Sequence, residues 1–254
     1  MSSERCYGSC PVYTVQILGD GRVIYEGRDN VAVTGRHESH ASREQMAILL
    51  AAVKAADFYR LDEKYVGAVI HGVERRIRIT VGDRTRMVSE YSGEAGGMPR
   101  AVLDLEAAID EAAGTRRWVK GDASTLPALR AEGFDFGSDQ TADMLRESLR
   151  DGPQDLLLVL IERGALSRED KDFALLTAAT CHRAPLIAPL IKAGARIDAK
   201  SDGGETALSA ATGSDHVYCE QAGDGAATVR ALLAAGASGP SPGTSAGSAS
   251  GSRP

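Results

Sequence analysis

Cys6 and Cys10 are the residues whose type and spacing most directly suggest chemistry. They flank Gly8, whose missing side chain lets the backbone turn sharply. Such a turn can bring two α-carbons within the roughly 7 Å that a disulfide requires. An oxidising compartment then gives a structural bridge, a reducing one a pair of thiols. A catalytic redox pair would need a thiol activated by a helix N-terminus or a cation, and Pro11 with a β-rich run follows instead, so the structural reading is preferred. Cys6, Cys10, His37 and His40 also hold the donors of a tetrahedral zinc site. The Cys-x3-Cys spacing is loose for zinc, however, and His37-Glu38-Ser39-His40 reads as a solvated loop. His71, His182 and His216 have no Ser, Cys or Asp partner at a mechanistic spacing. Cys181 adjoins His182 on a helical turn, where neighbours do not face each other, and reads as a small buried core residue. Ser92 to Gly97 lacks the Lys-Ser/Thr of a phosphate loop. Glu106, Asp110 and Glu111 read as a solvated, charge-mixed helix face. No catalytic, cofactor or metal residue is assigned.

The bulk composition agrees with a binding rather than a nucleic-acid role. The chain has 254 residues, 43% hydrophobic and 25% charged, with a net charge of −6 and only 5% aromatics. Arg75, Arg76 and Arg78 form no basic stripe, and nucleic-acid affinity is not expected. No run of 18 apolar residues could span a membrane. The first residues, Met-Ser-Ser-Glu-Arg-Cys, contain no apolar export signal, which places the chain as written in the cytoplasm. A missing upstream signal would move it to the periplasm or envelope.

The elements that position these residues fall into two kinds. Val12 to Leu18 is a β-rich run, Gly19-Asp20-Gly21 suits a tight hairpin turn, and Val23 to Tyr25 returns, with Val31 to Val33 extending the sheet. Ser42 and Gln45 form a capping box ahead of an apolar helical face of Met46, Leu49, Leu50 and Val53. Ile77, Ile79 and Val81 alternate with polar residues up to a Gly82-Asp83 turn, and Met87-Val88 returns. Pro99 starts a last helix with Val102, Leu105, Ala108 and Ile109 facing inward. The order ββ(β)αββα over residues 1–114 predicts an α+β domain, an antiparallel sheet with helices on one face.

Residues 115–238 read as helices. Gly133, Gly164, Gly194 and Gly236 each close an apolar segment, at intervals of 31, 30 and 42 residues. Each is expected to take the left-handed conformation that ends a helix. Leu176-Thr177-Ala178-Ala179 recurs 32 residues later as Leu208-Ser209-Ala210-Ala211. A period near 32 with two helices per unit is a solenoid signature, because one helical hairpin cannot bury its apolar face alone. Asp215 to Asp224 reads as an insertion. Residues 239–254 are a Gly/Ser/Pro tail with too little apolar surface to order.

The helical part resembles ankyrin repeats. Gly204-Glu205-Thr206-Ala207-Leu208-Ser209-Ala210-Ala211 is similar to the family's Gly-x-Thr-Pro-Leu-His-x-Ala, and Gly194 to Lys200 is similar to the segment leading into its β-turn finger. Gly236 closes the last unit. The resemblance implies that Thr206 caps the first helix, and that Ser209 in place of His weakens the ties between turns. Of about four units the first two are degenerate, and Pro189 within a second helix predicts a kink or a late start. The N-terminal part resembles a bacterial domain family of unknown function. Cys6-Tyr7-Gly8-Ser9-Cys10-Pro11-Val12-Tyr13, Asp20-Gly21-x-Val23-x-Tyr25-x-Gly27, and Ala56-Asp57-Phe58 before Leu61 and Tyr65 carry this likeness. Some relatives continue into ankyrin repeats through a stretch like Trp118-Val119-Lys120-Gly121, and many begin with an export or lipoprotein signal. Where the family has Thr-Asp, this chain has Ile70-His71. The resemblance implies a fold and no chemistry.

The expected function is therefore a non-enzymatic, monomeric, protein-binding ankyrin repeat protein without cofactor. Ser201, Asp202 and Gly203 at the finger, and Thr177, Thr180, Ser209 and Thr212 on first helices, are its expected contacts. An envelope structural or inhibitor-like protein, and a thiol redox protein using Cys6 and Cys10, are the alternatives. Leu208 falls at the core position of its helix, so Leu208→Ala should cost about 2 to 5 kcal/mol. The check is a denaturation curve, and an unchanged midpoint would show the register to be wrong.

Overall fold

Short β-branched runs separated by Gly-containing turns build a seven-stranded sheet, and Ala/Leu-rich segments closed by Gly build the helices that follow. The computed structural model describes residues 1–68, 72–213, 219 and 223–238. They form two compact units, Met1–Ser167 and Arg168–Pro254. His71, His216, most of the Asp215–Asp224 insertion and the 239–254 tail lie outside the described residues.

The first unit opens with β1 (Ser2–Ser3), β2 (Val12–Ile17), β3 (Arg22–Asp29) and β4 (Gly35–His40), followed by α1 (Arg43–Ala55). It continues with β5 (Lys64–Val66), β6 (Glu74–Val81), β7 (Arg84–Tyr91) and α2 (Arg100–Ala113). The sheet order is β4-β3-β2-β1-β6-β7-β5. Neighbours are antiparallel except β5, which runs parallel to β7, so the sheet is mixed. β1 and β5 escape a reading of the sequence because two and three residues carry no alternation. α2 lies against β2 and β3, and α1 packs on α2.

Local chemistry explains the joints. Gly21 turns the first hairpin at φ +91° and Gly82 the second at +58°. Ser42 caps α1, its hydroxyl accepting from Gln45 N–H while the Gln45 side chain accepts from Ser42 N–H. Two expectations need correction. Leu49 is buried in α1, but Leu50 is 60% exposed, because the helix meets α2 along a narrower stripe. Val31 to Val33 do not form a strand. They are buried in a loop, where Ala32 and Val33 N–H donate to the C=O groups of Val119 and Trp118, both at 2.9 Å. The strand is β4, one turn later.

Helices α3 (Arg116–Val119), α4 (Thr125–Ala131), α5 (Gln140–Ser148) and α6 (Gln154–Arg163) complete this unit. α6 touches both α5 and α4. Gly164 departs from the expected left-handed cap, at φ −67°. A side chain there would come within 2.4 Å of Leu160 O and 2.5 Å of Thr141 Cγ2, so close approach, not a positive φ, demands the glycine.

The second unit contains α7 (Arg168–Thr180), α8 (Ala184–Ala193), α9 (Ala207–Thr212) and α10 (Gly225–Ala234). α7 packs on α8 and α9, and α10 on α8 and α9. Two helical hairpins thus lie side by side, with like helices adjoining. α8 starts at Ala184 and runs through Pro189 without a break, so of the expected kink or late start the late start is not found. The proline forfeits one backbone bond, to Pro185, while Leu186, Ile187 and Leu190 around it are fully buried. Among the described residues, no helix is long and apolar enough to cross a membrane.

Trp118 is 1% exposed and joins α3 to the sheet by stacking and through the Val33 backbone bond. Trp118→Ala should destabilise the first unit by about 3 to 5 kcal/mol. Thermal unfolding followed by sheet circular dichroism should show the loss, and an unshifted transition would contradict this role.

Candidate functional site

The cysteine motif lies between β1 and β2. Cys6 and Cys10 form a disulfide with α-carbons 5.7 Å apart. Gly8 N–H donates to Cys6 C=O at 3.0 Å, and Tyr7 at the apex is 85% exposed. Asn30 Nδ2 donates to Cys10 C=O at 3.2 Å and Arg5 pairs with Asp29 at 2.8 Å, so the loop is tied to the end of β3. His37 and His40 are not a solvated loop pair. Both lie on β4. His40 is exposed, whereas His37 is buried and stacks on Trp118 with ring centroids 4.2 Å apart. The His37 ring nitrogens meet Glu132 Oε2 at 2.7 Å and Thr34 C=O at 3.1 Å. Among the described residues, no group of three or more His, Cys, Asp and Glu is placed to hold a metal ion.

The sheet and α2 also build a largely buried ionic row, two of whose members, Glu106 and Asp110, were expected on a solvated helix face. Register sets Tyr13 opposite Ser3, Ser3 opposite Arg75, and Arg75 opposite Glu90. α2 lays Glu106 and Asp110 over this row. Glu106 is 3% exposed and its Oε2 accepts from Arg75 Nη1 at 2.9 Å. Asp110 Oδ1 accepts from Tyr13 OH at 3.0 Å and Thr115 OH at 2.9 Å. Glu90 Oε2 accepts from Gly93 N–H at 2.7 Å. The expected solvated face is therefore corrected for Glu106 and Asp110, while Glu111 is exposed. Spacing could have shown it: Val102, Leu105, Glu106 and Ile109 share one stripe of a 3.6-residue helix.

Burial sets the electrostatics of this row. It pushes the Glu106 carboxyl up to about 7, against the pull of Arg75, while Glu90 and Asp110 add like charge. Burial works against the Arg75 charge too, but Glu106 foremost holds it above its ordinary value. Burial and Asp110 together raise the Tyr13 phenol. Arg75 and Glu90 border a cavity of about 370 Å³ that Ser92, Gly93, Glu94 and Ala95 complete.

In the second unit the finger residues come together. Lys200 and Thr206 form an antiparallel bridge. Ser201 N–H donates to Glu205 C=O at 2.9 Å and Gly204 N–H to Ser201 C=O at 2.8 Å, with Gly204 at φ +81°. Asp202 and Gly203 are exposed at the tip. Thr206 caps α9, in a capping box with Ser209. Thr180 and Thr212 spend their hydroxyls on the C=O groups of Leu176 and Leu208, at 3.0 and 3.2 Å, the same bond one period apart. Thr177 and Thr180 are half-buried, Ser209 and Thr212 exposed, and Leu208 and Ala211 buried. Gly194 and Gly236 end α8 and α10 at φ +106° and +93°. Asp172, unmarked in the sequence, is buried on α7 and holds Arg196 through N–H at 2.6 Å, Nε at 2.8 Å and Nη2 at 2.7 Å. Cys181 is buried as expected but is not a thiol. It is bonded to Cys219 across 38 positions, a partner that lies within the insertion. His182 Nε2 meets Ala211 C=O at 3.1 Å, tying one hairpin to the next.

Residues 1–113 match the model of a family described as a domain of unknown function, DUF6438. The match supports an N-terminal domain of unknown function. The chain matches no curated protein and no solved structure.

The raised Glu106 carboxyl fixes a pH dependence. The folded protein keeps this proton up to about pH 7, whereas the unfolded chain loses it near 4.5. The stabilising contribution is thus complete below 4.5 and lost as pH rises through 7. Glu106→Gln should flatten this part of the profile. Urea midpoints from pH 5 to 8 test it, and parallel profiles for the two proteins would refute the assignment.

Proposed function

We propose that this chain is a non-enzymatic protein-binding protein of the ankyrin-repeat kind that works in an oxidising compartment, the periplasm or envelope. The observation that carries the reading is the finger at Lys200–Thr206, a rigid turn projecting between two stacked helical hairpins. Stacked hairpins with such turns form a continuous surface of finger tips and first-helix faces, which suits recognition of another protein. Ser201, Asp202, Gly203, Ser209 and Thr212 supply polar groups to it, while Leu208, Ala210 and Ala211 form the core beneath. Asp172 and Arg196 fix the base of the finger, which lowers the ordering cost of binding.

The cysteines support the compartment. All four are paired, and structural disulfides persist where thiols are not kept reduced. This favours the export alternative over the cytoplasmic expectation. It also weakens the thiol-redox alternative, since the loop around Cys6 and Cys10 has no helix N-terminus to activate a thiolate.

The test is affinity capture from envelope extracts with the disulfide-intact chain and with an Asp202→Lys variant. Asp202 is exposed at the finger tip, so the melting temperature should hold while capture of the specific partner falls by roughly tenfold or more, the effect of opposed charge at a rim. Equal capture by both proteins would sink the repeat surface as the binding site. Free thiols in protein isolated under alkylating conditions would sink the compartment.

A further inference from the structure

α1 is apolar on nearly every side, yet it is scarcely buried. Nine of its thirteen residues are Met, Ala, Ile, Leu or Val, and of the thirteen only Leu49 is buried. The helix packs on α2, which takes up the stripe around Leu49. Ala47, Ile48, Leu50, Ala51 and Ala55 are exposed, Ile48 by 56%. A helix that is apolar all round normally has neighbours all round. α1 is covered along one side.

The exposed arc is complementary to itself. At about 100° per residue, Ala47 and Ala51 run along its middle, with Ile48 on one flank and Leu50 on the other. Counted from Leu49 the pattern is symmetric: Ile48 and Leu50 stand one residue away, Ala47 and Ala51 two, Glu44 and Lys54 five. A second α1 laid antiparallel on this arc, about a two-fold axis at the level of Leu49, therefore meets it in kind. Ala47 falls opposite the second copy's Ala51, and such small residues let helix axes approach to about 8 Å. Each Ile48 meets the other Ile48, and each Leu50 the other Leu50. Glu44 comes level with the second copy's Lys54 at both ends of the pair. Neither has a salt-bridge partner among the described residues. Arg43, on the Leu50 flank, has the second copy's Asp57 beyond it, which is exposed and touches Arg60 at 3.7 Å.

We propose that α1 is a self-association face, which pairs two copies of this chain as antiparallel helices about a two-fold axis. Such a contact uses the same patch on both copies and closes on itself. It departs from the monomer expected from the sequence. A membrane surface fits the arc less well. Interfacial helices gather Lys and Arg beside their apolar face, whereas here an acidic and a basic residue stand at its opposite ends. One helix face is smaller than a standard interface, so the dimer is reversible and grows with concentration.

The experiment is sedimentation equilibrium of the full, disulfide-intact chain. Its apparent mass should rise toward that of a dimer with concentration. Ile48→Glu sets two acids against each other beside the axis and should raise the dissociation constant roughly tenfold or more. Ile48 is exposed, so the melting temperature of the dilute variant should match that of the dilute parent. Glu44→Lys and Lys54→Glu should each weaken the dimer severalfold, and the double swap should restore it, which a mere loss of helix stability would not do. A monomeric mass at every concentration, a dimer indifferent to Ile48→Glu, or a double swap no tighter than the single variants would each overturn the proposal. So would a monomer that binds vesicles of phosphatidylcholine and phosphatidylglycerol and loses them on Ile48→Glu, since the face would then belong to a membrane.

Discussion

The stacking of Trp118 against the sheet is the contact on which the first unit depends. Its indole lies 4.2 Å from the His37 ring and 6.2 Å from Tyr25, and Tyr25 in turn stacks on Tyr13 at 5.8 Å. Aromatic rings bury large areas at small entropic cost, so this row couples β2, β3 and β4 to α3. Two backbone bonds from Ala32 and Val33 fix its orientation. Gly27 is required beneath it, because a side chain there would approach Val33 O to 2.6 Å and Tyr25 Oη to 2.7 Å.

A second constraint runs beside the aromatic row. Arg75, Glu90, Glu106, Asp110 and Tyr13 bring several charges into the space between sheet and α2. A buried ion pair barely recovers its own desolvation, so the row adds little net stability. It specifies register instead. A one-residue slip of β6 would move Arg75 to the other face and leave Glu106 without its partner. The proton that Glu106 retains near neutrality is a consequence of the same burial.

The second unit has fewer aromatic and more small residues, and relies on cross-links at its joints. Asp172 and Arg196 hold the finger, and His182 bonds to the neighbouring hairpin. The Cys181–Cys219 bridge closes a long loop, worth about 4 kcal/mol on a chain-entropy account. Gly223 N–H donates to Cys181 C=O at 3.1 Å, so the segment ahead of α10 is anchored twice at the end of α7. The Cys6–Cys10 loop is far shorter, and its entropic contribution is correspondingly smaller.

Local patterns set much of this by themselves. The two hairpins, the Ser42 and Thr206 caps, the helix starting after Pro99 and the recurrence of Leu176 at Leu208 were legible because turns, caps and helical stripes depend on residues within a few positions of one another. The helical character of residues 115–238 was legible for the same reason. The rest required distant residues to meet. β1 and β5 exist because a sheet recruits segments too short to carry a pattern. His37 is buried because Trp118 arrives from 81 positions away. Glu106 is buried because β6 places Arg75 beneath it, and Cys181 is oxidised because α9 and α10 bring Cys219 back to it.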